Sequence, residues 1–142
     1  MASKLIPNLG ATNFFSNSTT WTPTLQNMTQ GNGTITAEYV QVGKIVTCLF
    51  RFVLGSTSAV SSFPGFTLPV TARNSRWMSA QVHLLDSGTA EYAAWVWGNA
   101  NATTGTIYSL GTTNVLGNVT ASAPFTWANN DAITSVVTYE VA

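Results

Sequence analysis

The residue types that usually perform catalysis or bind metal ions are scarce in this sequence. His83 is the single histidine and Cys48 the single cysteine. A zinc-type site needs several nitrogen or sulfur ligands, and these two residues do not provide them. Cys48 also lies inside the apolar run 45–54, where we expect an inert thiol, because a reactive one needs a basic neighbour and access to solvent. The sequence therefore predicts no metal site.

Carboxylates are equally few. The chain has five of them, namely Glu38, Asp86, Glu91, Asp131 and Glu140. Asp86 and Glu91 flank one expected turn, where carboxylates are usually only solvated, so a pair suited to glycoside hydrolysis is not indicated. His83 could join a serine and an aspartate in a triad, but serine is abundant and no Gly-x-Ser-x-Gly elbow exists. We predict no catalytic residue, no cofactor and no enzyme activity.

Trp95 and Trp97 are the residues that most suggest binding. They stand two positions apart on an expected strand, so they share one face. If that face is internal, both belong to the core or to a subunit interface. If it is exposed, they form a platform on which sugar rings can stack. In that case Asn99 and Asn101, in the loop that follows, would hydrogen-bond the sugar hydroxyls.

The composition favours self-association over binding to nucleic acids or membranes. Of the 142 residues, 45% are hydrophobic and 7% are charged, and five basic residues balance five acidic ones. Without a basic stripe to neutralise phosphates, no nucleic-acid partner is expected. Without net charge, copies of the chain do not repel one another. No run of 18 apolar residues and no apolar signal region occurs, so we expect no membrane insertion and synthesis in a cytoplasm.

Short apolar or alternating runs separated by Gly, Asn, Ser and Pro clusters are typical of an all-β protein. We predict strands over residues 34–42, 45–54, 79–85, 91–97, 106–110 and 132–141, with short strands within 63–70 and from Val119 onward. Loops are expected over residues 55–62 and 98–105. About eight short antiparallel strands fit a β-sandwich of jelly-roll type. Residues 1–20 are expected to form an irregular N-terminal arm and residues 21–142 a single domain.

The predicted strand 45–54 is apolar on both faces. Ile45, Leu49 and Val53 share one face, while the other carries residues such as Phe50 and Phe52. A strand in a two-layer sandwich normally presents one polar face to water. The second apolar face therefore needs a cover. A neighbouring subunit is the simplest cover, and the polar stretch 21–30 of the same chain is the alternative.

Two further pairs of residues stand out near the ends of the chain. Phe14 and Phe15 form an apolar pair in the arm, suited either to docking onto another protein or to insertion into the chain's own sandwich. Trp127 and Asp131 are predicted to be structural. The indole would hold a short connector over the end of the sandwich, and the carboxylate would accept backbone N–H groups that fix the start of the last strand.

Three segments of the sequence resemble virion proteins of tailed bacteriophages. The first is "WTPTL" followed by "GNGTITAEYVQVGKIVTCLFRFVLG", the second is "FPGFTLPVTA" and the third is "APFTWANNDAITSVVTYEVA". Their order and spacing carry the resemblance, which spans roughly residues 21–142. The middle, residues 73–120, matches none of these patterns.

The resemblance implies a trimeric β-sandwich displayed on the exterior of a virus particle. Such domains are found as small capsid decoration proteins, head fibres and the tips of tail fibres. Because this chain has no repetitive or coiled-coil shaft, we expect a capsid decoration (cement) protein that trimerises on the shell and reinforces it. Its partners would be two further copies of itself and the major capsid protein or another virion protein. The alternative is a tail-fibre or tail-tip module that recognises a host-surface glycan.

Overall fold

The computed structural model describes residues 18–73, 78–98, 102–111 and 113–141, and these residues form strands and no helix. The strands are β1 (Thr19–Thr20), β2 (Leu25–Thr29), β3 (Thr34–Val42), β4 (Ile45–Val53), β5 (Ala59–Thr67), β6 (Met78–Asp86), β7 (Ala90–Gly98), β8 (Thr104–Leu110), β9 (Leu116–Asn118) and β10 (Ala132–Glu140). The predicted all-β, antiparallel class is confirmed. In the described residues there is no helix with the length and apolarity needed to cross a lipid bilayer.

Two tight hairpins form where the sequence predicts them. β3 and β4 pair from Thr34 opposite Val53 to Val42 opposite Ile45. Gly43 makes the reversal with a φ of 57°, a backbone conformation that costs glycine little because it has no Cβ. β6 and β7 pair in the same way, and their turn contains Gly88 with a φ of 79°. Local turn chemistry and alternation were sufficient to define both hairpins.

All the strands belong to one curled antiparallel sheet that forms a half-barrel. Its order is β1-β3-β4-β10-β6-β7-β8-β5-β2, and β9 pairs with β8 at the side. The predicted jelly-roll sandwich, with two separate sheets, is not confirmed by this pairing. Strands distant in sequence are neighbours: β4 pairs with β10 along its whole length, so residues 45–53 meet residues 132–140.

The segment between β1 and β2 links the two ends of the sheet. The Trp21 backbone N–H donates to the Ala37 carbonyl of β3, and its indole N–H donates to the Thr67 carbonyl of β5, 3.3 Å away. The Trp21 ring also meets Tyr39 edge-on, with centroids 6.3 Å apart. Trp21 therefore helps to hold the curl closed.

The concave side of the sheet encloses the core. Alternate residues of the central strands point inward, and the largest fully buried side chains include Phe50, Phe52, Phe66, Leu84, Ile107 and Ile133. Tyr139 of β10 brings its hydroxyl to the backbone of the segment after β5, donating to the Val70 carbonyl at 2.7 Å. The inward-facing side chains of β4, Val46, Cys48, Phe50 and Phe52, are fully buried, so the chain itself covers the inner face of this strand.

Three expected element bounds are wrong, and one strand, β2, was not predicted. Residues 59–62, expected in a loop, form the start of β5, and residues 25–29 of the polar stretch form β2. β2 pairs with β5 at the edge of the sheet, so the polar stretch does not fold over the outer face of β4. The loop expected over residues 98–105 is shorter than predicted, because β8 begins at Thr104. A short strand was expected to begin at Val119, but the observed strand β9 lies just before it and ends at Asn118.

Candidate functional site

The convex side of the sheet, called here the outer face, carries an apolar patch at one end. It consists of Val42, Ile45, Leu49 and Val136, which we name the β4–β10 patch. In the ladder Val42 lies opposite Ile45, and Leu49 lies opposite Val136. Val42, Ile45 and Val136 are 51%, 47% and 57% exposed, and Leu49 is half-buried. The second apolar face expected on β4 is therefore left uncovered by the described residues.

The polar residues around this patch are hydroxyls and charged groups. Thr47 and Thr138 lie opposite each other between the two apolar rows, and their hydroxyls hydrogen-bond at 2.9 Å. Arg51 is exposed on the same face of β4. Glu140, at the end of β10, forms an ion pair with Arg73. Glu38 lies opposite Leu49 and Glu140 lies opposite Ile45, so the patch is apolar and hydroxylated at its centre and is bordered by two carboxylates.

Trp95 and Trp97 lie on the outer face of β7. They alternate with Ala94 and Val96, which are fully buried, so neither indole belongs to the core. Trp97 is 37% exposed, and Trp95 is half-buried. The prediction that the two residues share a face is confirmed. Their exposure leaves open the two surface roles considered from the sequence, a subunit interface and a sugar-stacking platform.

Two aromatic residues that the sequence did not single out lie beside the indoles. Tyr108 of β8 stands opposite Trp95 in the ladder. Phe63 of β5 meets Tyr108 edge-on, with centroids 6.4 Å apart, and is 44% exposed. We call Phe63, Trp95, Trp97 and Tyr108 the aromatic row. It crosses three adjacent strands, which is why it is not visible as a spacing in the sequence.

A cleft of about 260 Å³ opens at the end of the aromatic row. It is lined by Trp97, Gly98, Ala102, Thr103, Thr104, Thr106 and Tyr108. Its lining combines two aromatic rings with three threonine hydroxyls. Asn99 and Asn101, the amides predicted to assist sugar binding, lie outside the described residues.

His83 is exposed on the outer face of β6 and is paired with a carboxylate. Its Nε2 atom lies 3.2 Å from the carboxylate of Glu91 on β7. Neither Asp86 nor Asp131 is its partner, so the triad considered above is not assembled. Within the described residues, no three His, Cys, Asp or Glu side chains gather where they could hold a metal ion.

Asp131 is buried and bound to two backbone donors. One carboxylate oxygen accepts the Ala128 N–H at 2.6 Å, within the connector that precedes β10. The other accepts the Ser87 N–H at 2.9 Å, in the turn between β6 and β7. The local contact follows the expectation for an aspartate that starts a strand, whereas the contact with Ser87 joins two loops distant in sequence.

Trp127 packs in the same connector. Its indole N–H donates to the Thr120 carbonyl at 2.9 Å, and its ring lies 4.4 Å from that of Phe125. Phe125 in turn stacks on Tyr92 of β7 with centroids 5.0 Å apart. The indole therefore links the connector to the inner side of the sheet.

The remaining candidates add no further group to a site. Cys48 is buried in the core, and this burial raises the pKa of its thiol to about 11, with a small opposing contribution from a hydrogen bond to the Val137 backbone. Phe14 and Phe15 of the expected docking arm lie outside the described residues.

Comparisons with known proteins identify no relative. No protein-family model matches the chain, and comparisons with curated proteins and with solved structures also find no match.

Proposed function

We propose that this chain is a structural protein of a tailed-bacteriophage virion, which self-associates and reinforces the capsid shell. The β4–β10 patch carries the proposal. Val42, Ile45 and Val136 are about half exposed on the same outer face, in two apolar rows separated by Thr47 and Thr138. Exposed apolar residues grouped on one face are typical of a contact with another protein. A second copy of the chain is the occupant that we propose.

Electrostatics favours contact between identical copies. The chain has a formal net charge of zero, so bringing copies together opposes no long-range repulsion. Burying apolar surface contributes about 25 cal/mol per Å², from which the cost of association is subtracted. The hydroxyls of Thr47 and Thr138 share one hydrogen bond, so covering the pair leaves one hydroxyl hydrogen that a group of the second copy has to accept.

The trimeric state and the position on a particle rest on the resemblance of residues 21–142 to phage virion proteins. The proposal also includes a more specific fold assignment. We propose that the half-barrel is a variant of the jelly-roll sandwich. In this variant the two halves of the sheet stay hydrogen-bonded through β10 and β6. The packing of β4 against β5 across the core supports this, since these strands would belong to opposite layers of a sandwich.

Sedimentation of the purified chain tests the self-association. We expect the parent chain to sediment as a trimer. The double variant Ile45→Lys/Val136→Lys places two like charges on the patch and should sediment as a monomer with an unchanged β-type circular dichroism spectrum. The matched control Val115→Lys/Leu116→Lys changes two equally exposed apolar residues outside the patch, and should stay trimeric. A monomeric parent, or a trimeric Ile45→Lys/Val136→Lys variant, would refute assembly through this patch.

Location on the particle needs a separate experiment. Antibody-labelled electron micrographs of phage particles should show the protein distributed over the capsid, whereas labelling confined to the tail would support the receptor-binding alternative. Deleting residues 1–17, which contain Phe14 and Phe15, should abolish particle binding if the arm docks. If the arm docks and does not insert into the chain's own core, the truncated chain should also keep its melting temperature. Unchanged particle binding would assign docking to the sheet domain.

A further inference from the structure

The cleft beside Trp97 differs from the β4–β10 patch in its chemistry. Trp97 and Tyr108 supply apolar ring surface, and Thr103, Thr104 and Thr106 supply hydroxyl groups. A threonine hydroxyl both donates and accepts hydrogen bonds. A ligand that fits such a lining presents apolar C–H faces and a rim of hydroxyls. A pyranose ring has both.

The register of β7 and β8 explains how the two kinds of group meet. Trp97 lies opposite Thr106, and Tyr108 lies two residues further along β8. Diagonal neighbours on one face of an antiparallel pair are within reach of large aromatic side chains. Gly98, next to Trp97, is buried and also lines the cleft. Rings and hydroxyls therefore border the same space.

The charge of the residues that line the cleft further restricts the class of ligand that it could bind. The described residues that line the cleft include no Asp, Glu, Lys, Arg or His. A phosphate or sulfate would need a basic partner there. An uncharged ligand needs none. The volume of about 260 Å³ is below the roughly 300–1,000 Å³ of pockets for drug-sized ligands, which suits one sugar ring rather than a long ligand.

The backbone of Phe63 supports a binding role for the aromatic row. Phe63 has a φ of 58°, a left-handed conformation that is strained for a bulky residue. It is held there by two hydrogen bonds: its N–H donates to the Val119 carbonyl, and its carbonyl accepts from the Asn27 side chain. The register between β2 and β5 shifts at this point. Bulges and strained residues are concentrated next to binding sites, where they redirect a side chain.

From the lining, its neutrality and the strained Phe63, we propose that this cleft is a binding site for a neutral saccharide. One sugar ring stacks on Trp97 and Tyr108, and the hydroxyls of Thr104 and Thr106 bind its rim. The described lining comes from one chain, from β7, β8 and the two residues before β8, and β6 separates these strands from β10 of the β4–β10 patch. The site therefore does not depend on self-association.

Saturation-transfer NMR with lactose, maltose and N,N′-diacetylchitobiose tests the site. We expect transfer to the pyranose C–H protons of at least one of these neutral disaccharides. The variant Trp97→Ala should weaken binding by about tenfold or more, because it removes one of the two rings on which the sugar stacks. The isosteric variant Thr106→Val, which removes one hydroxyl and keeps the shape, should weaken it by about two- to tenfold.

Two matched controls separate the site from stability and from assembly. Thr138→Val removes an outer-face hydroxyl far from the cleft and should leave sugar binding unchanged. The variant Ile45→Lys/Val136→Lys should also bind sugar as the parent does, whether or not it is monomeric. Circular dichroism of each variant shows that the fold is retained.

Several outcomes would overturn the proposal. These are no transfer to any of the three disaccharides, transfer that survives both Trp97→Ala and Thr106→Val, and tighter binding of a sulfated disaccharide than of the neutral ones. Acrylamide quenching of the tryptophan fluorescence of the assembled protein provides one more outcome that would overturn it. If Trp97→Ala does not change the quenching and instead dissociates the trimer, Trp97 is a subunit contact and the saccharide site does not exist.

Discussion

Phe50 of β4 and Phe66 of β5 stack face to face, with ring centroids 4.0 Å apart and ring planes 9° apart. Along the sheet, β10, β6, β7 and β8 lie between these two strands. The sheet must therefore curl far enough to bring its third and eighth strands into contact. Both rings are fully buried, so this pair stands at the centre of the core.

Replacing Phe66 by alanine should strongly destabilise the fold. We expect the free energy of unfolding to fall by about 3–5 kcal/mol, because the substitution removes buried ring surface and leaves a cavity in the stack. Phe63→Ala is the matched control, since it changes the same residue type three positions away on the same strand, where the ring is exposed. It should change stability by about 1 kcal/mol or less. Equal losses in urea unfolding would contradict the central role of the stack.

The Asp131 carboxylate should matter for stability rather than for chemistry. In Asp131→Asn, an amide NH₂ group replaces one oxygen and cannot accept a backbone N–H. A buried donor is left unsatisfied, and we expect a loss of about 1–3 kcal/mol. Glu91→Gln changes an exposed carboxylate and should cost about 0.5 kcal/mol or less. If Asp131→Asn melts at the same temperature as the parent, the connector does not depend on this carboxylate, and a binding or catalytic role must be tested instead.

Trp127 should contribute to the stability of the fold through both its ring and its indole N–H. Trp127→Ala removes the contact with Phe125 and the hydrogen bond to Thr120, and we expect a loss of about 3 kcal/mol, the lower end for such truncations because the indole is only half-buried. Trp127→Phe keeps a ring and loses the donor, so it should cost about 0.5–1.5 kcal/mol. If thermal melts show that the two variants are equally destabilised, the hydrogen bond to Thr120 accounts for the whole effect and the ring contact with Phe125 contributes nothing measurable.

The sequence predicts the hairpins well because their pairing is local. β3 with β4 and β6 with β7 each combine alternating apolar residues with a glycine turn. The arrangement of the hairpins is not local. It depends on β10 pairing with β4 on one side and with β6 on the other, across about 80 and 50 residues of chain. A sandwich and a single curled sheet share the same strand pattern, so the pattern did not distinguish them.

β2 was not predicted because its apolar residues do not alternate. Leu25 and Met28 both pack against the core, although they are three residues apart. Asn27 between them has a φ of 53°, and the register shifts here, with residues 61–64 of β5 opposite this one residue. A period-two pattern is lost at such an irregularity. The serine-rich start of β5 was expected to be a loop for a related reason, since its strand character comes from its neighbours rather than its own residues.

The candidate site was predicted in part. Spacing alone places Trp95 and Trp97 on one face, but whether that face is inside or outside depends on the direction in which the sheet curls. Tyr108 and Phe63 join them only through the registers of β7, β8 and β5. Sequence spacing carries no information on such registers, so the aromatic row and its cleft required the structure.

Cys48 should make the stability of the protein fall at high pH. Its pKa is about 11 in the folded chain, against an ordinary value of 9.0, because burial disfavours the thiolate. Between these values the unfolded chain releases the proton while the folded chain keeps it, so the unfolded state gains stability as the pH rises. The contribution is complete below pH 9 and is lost as the pH approaches 11. The difference of two pKa units corresponds to roughly 2–3 kcal/mol.

A comparison of the parent with Cys48→Ala isolates this effect. The pKa of Tyr139 is also raised by burial, to about 12, so that residue contributes a similar loss beginning near pH 10 in both proteins. Urea unfolding of the two proteins at several pH values from 8 to 11 therefore reports Cys48 as the difference between two curves. The parent should lose stability more steeply than Cys48→Ala above pH 9, whatever their offset at pH 8. Parallel curves over this range would show that the thiol ionises equally in the folded and unfolded chains, and that the core around Val46 and Phe50 admits solvent to it.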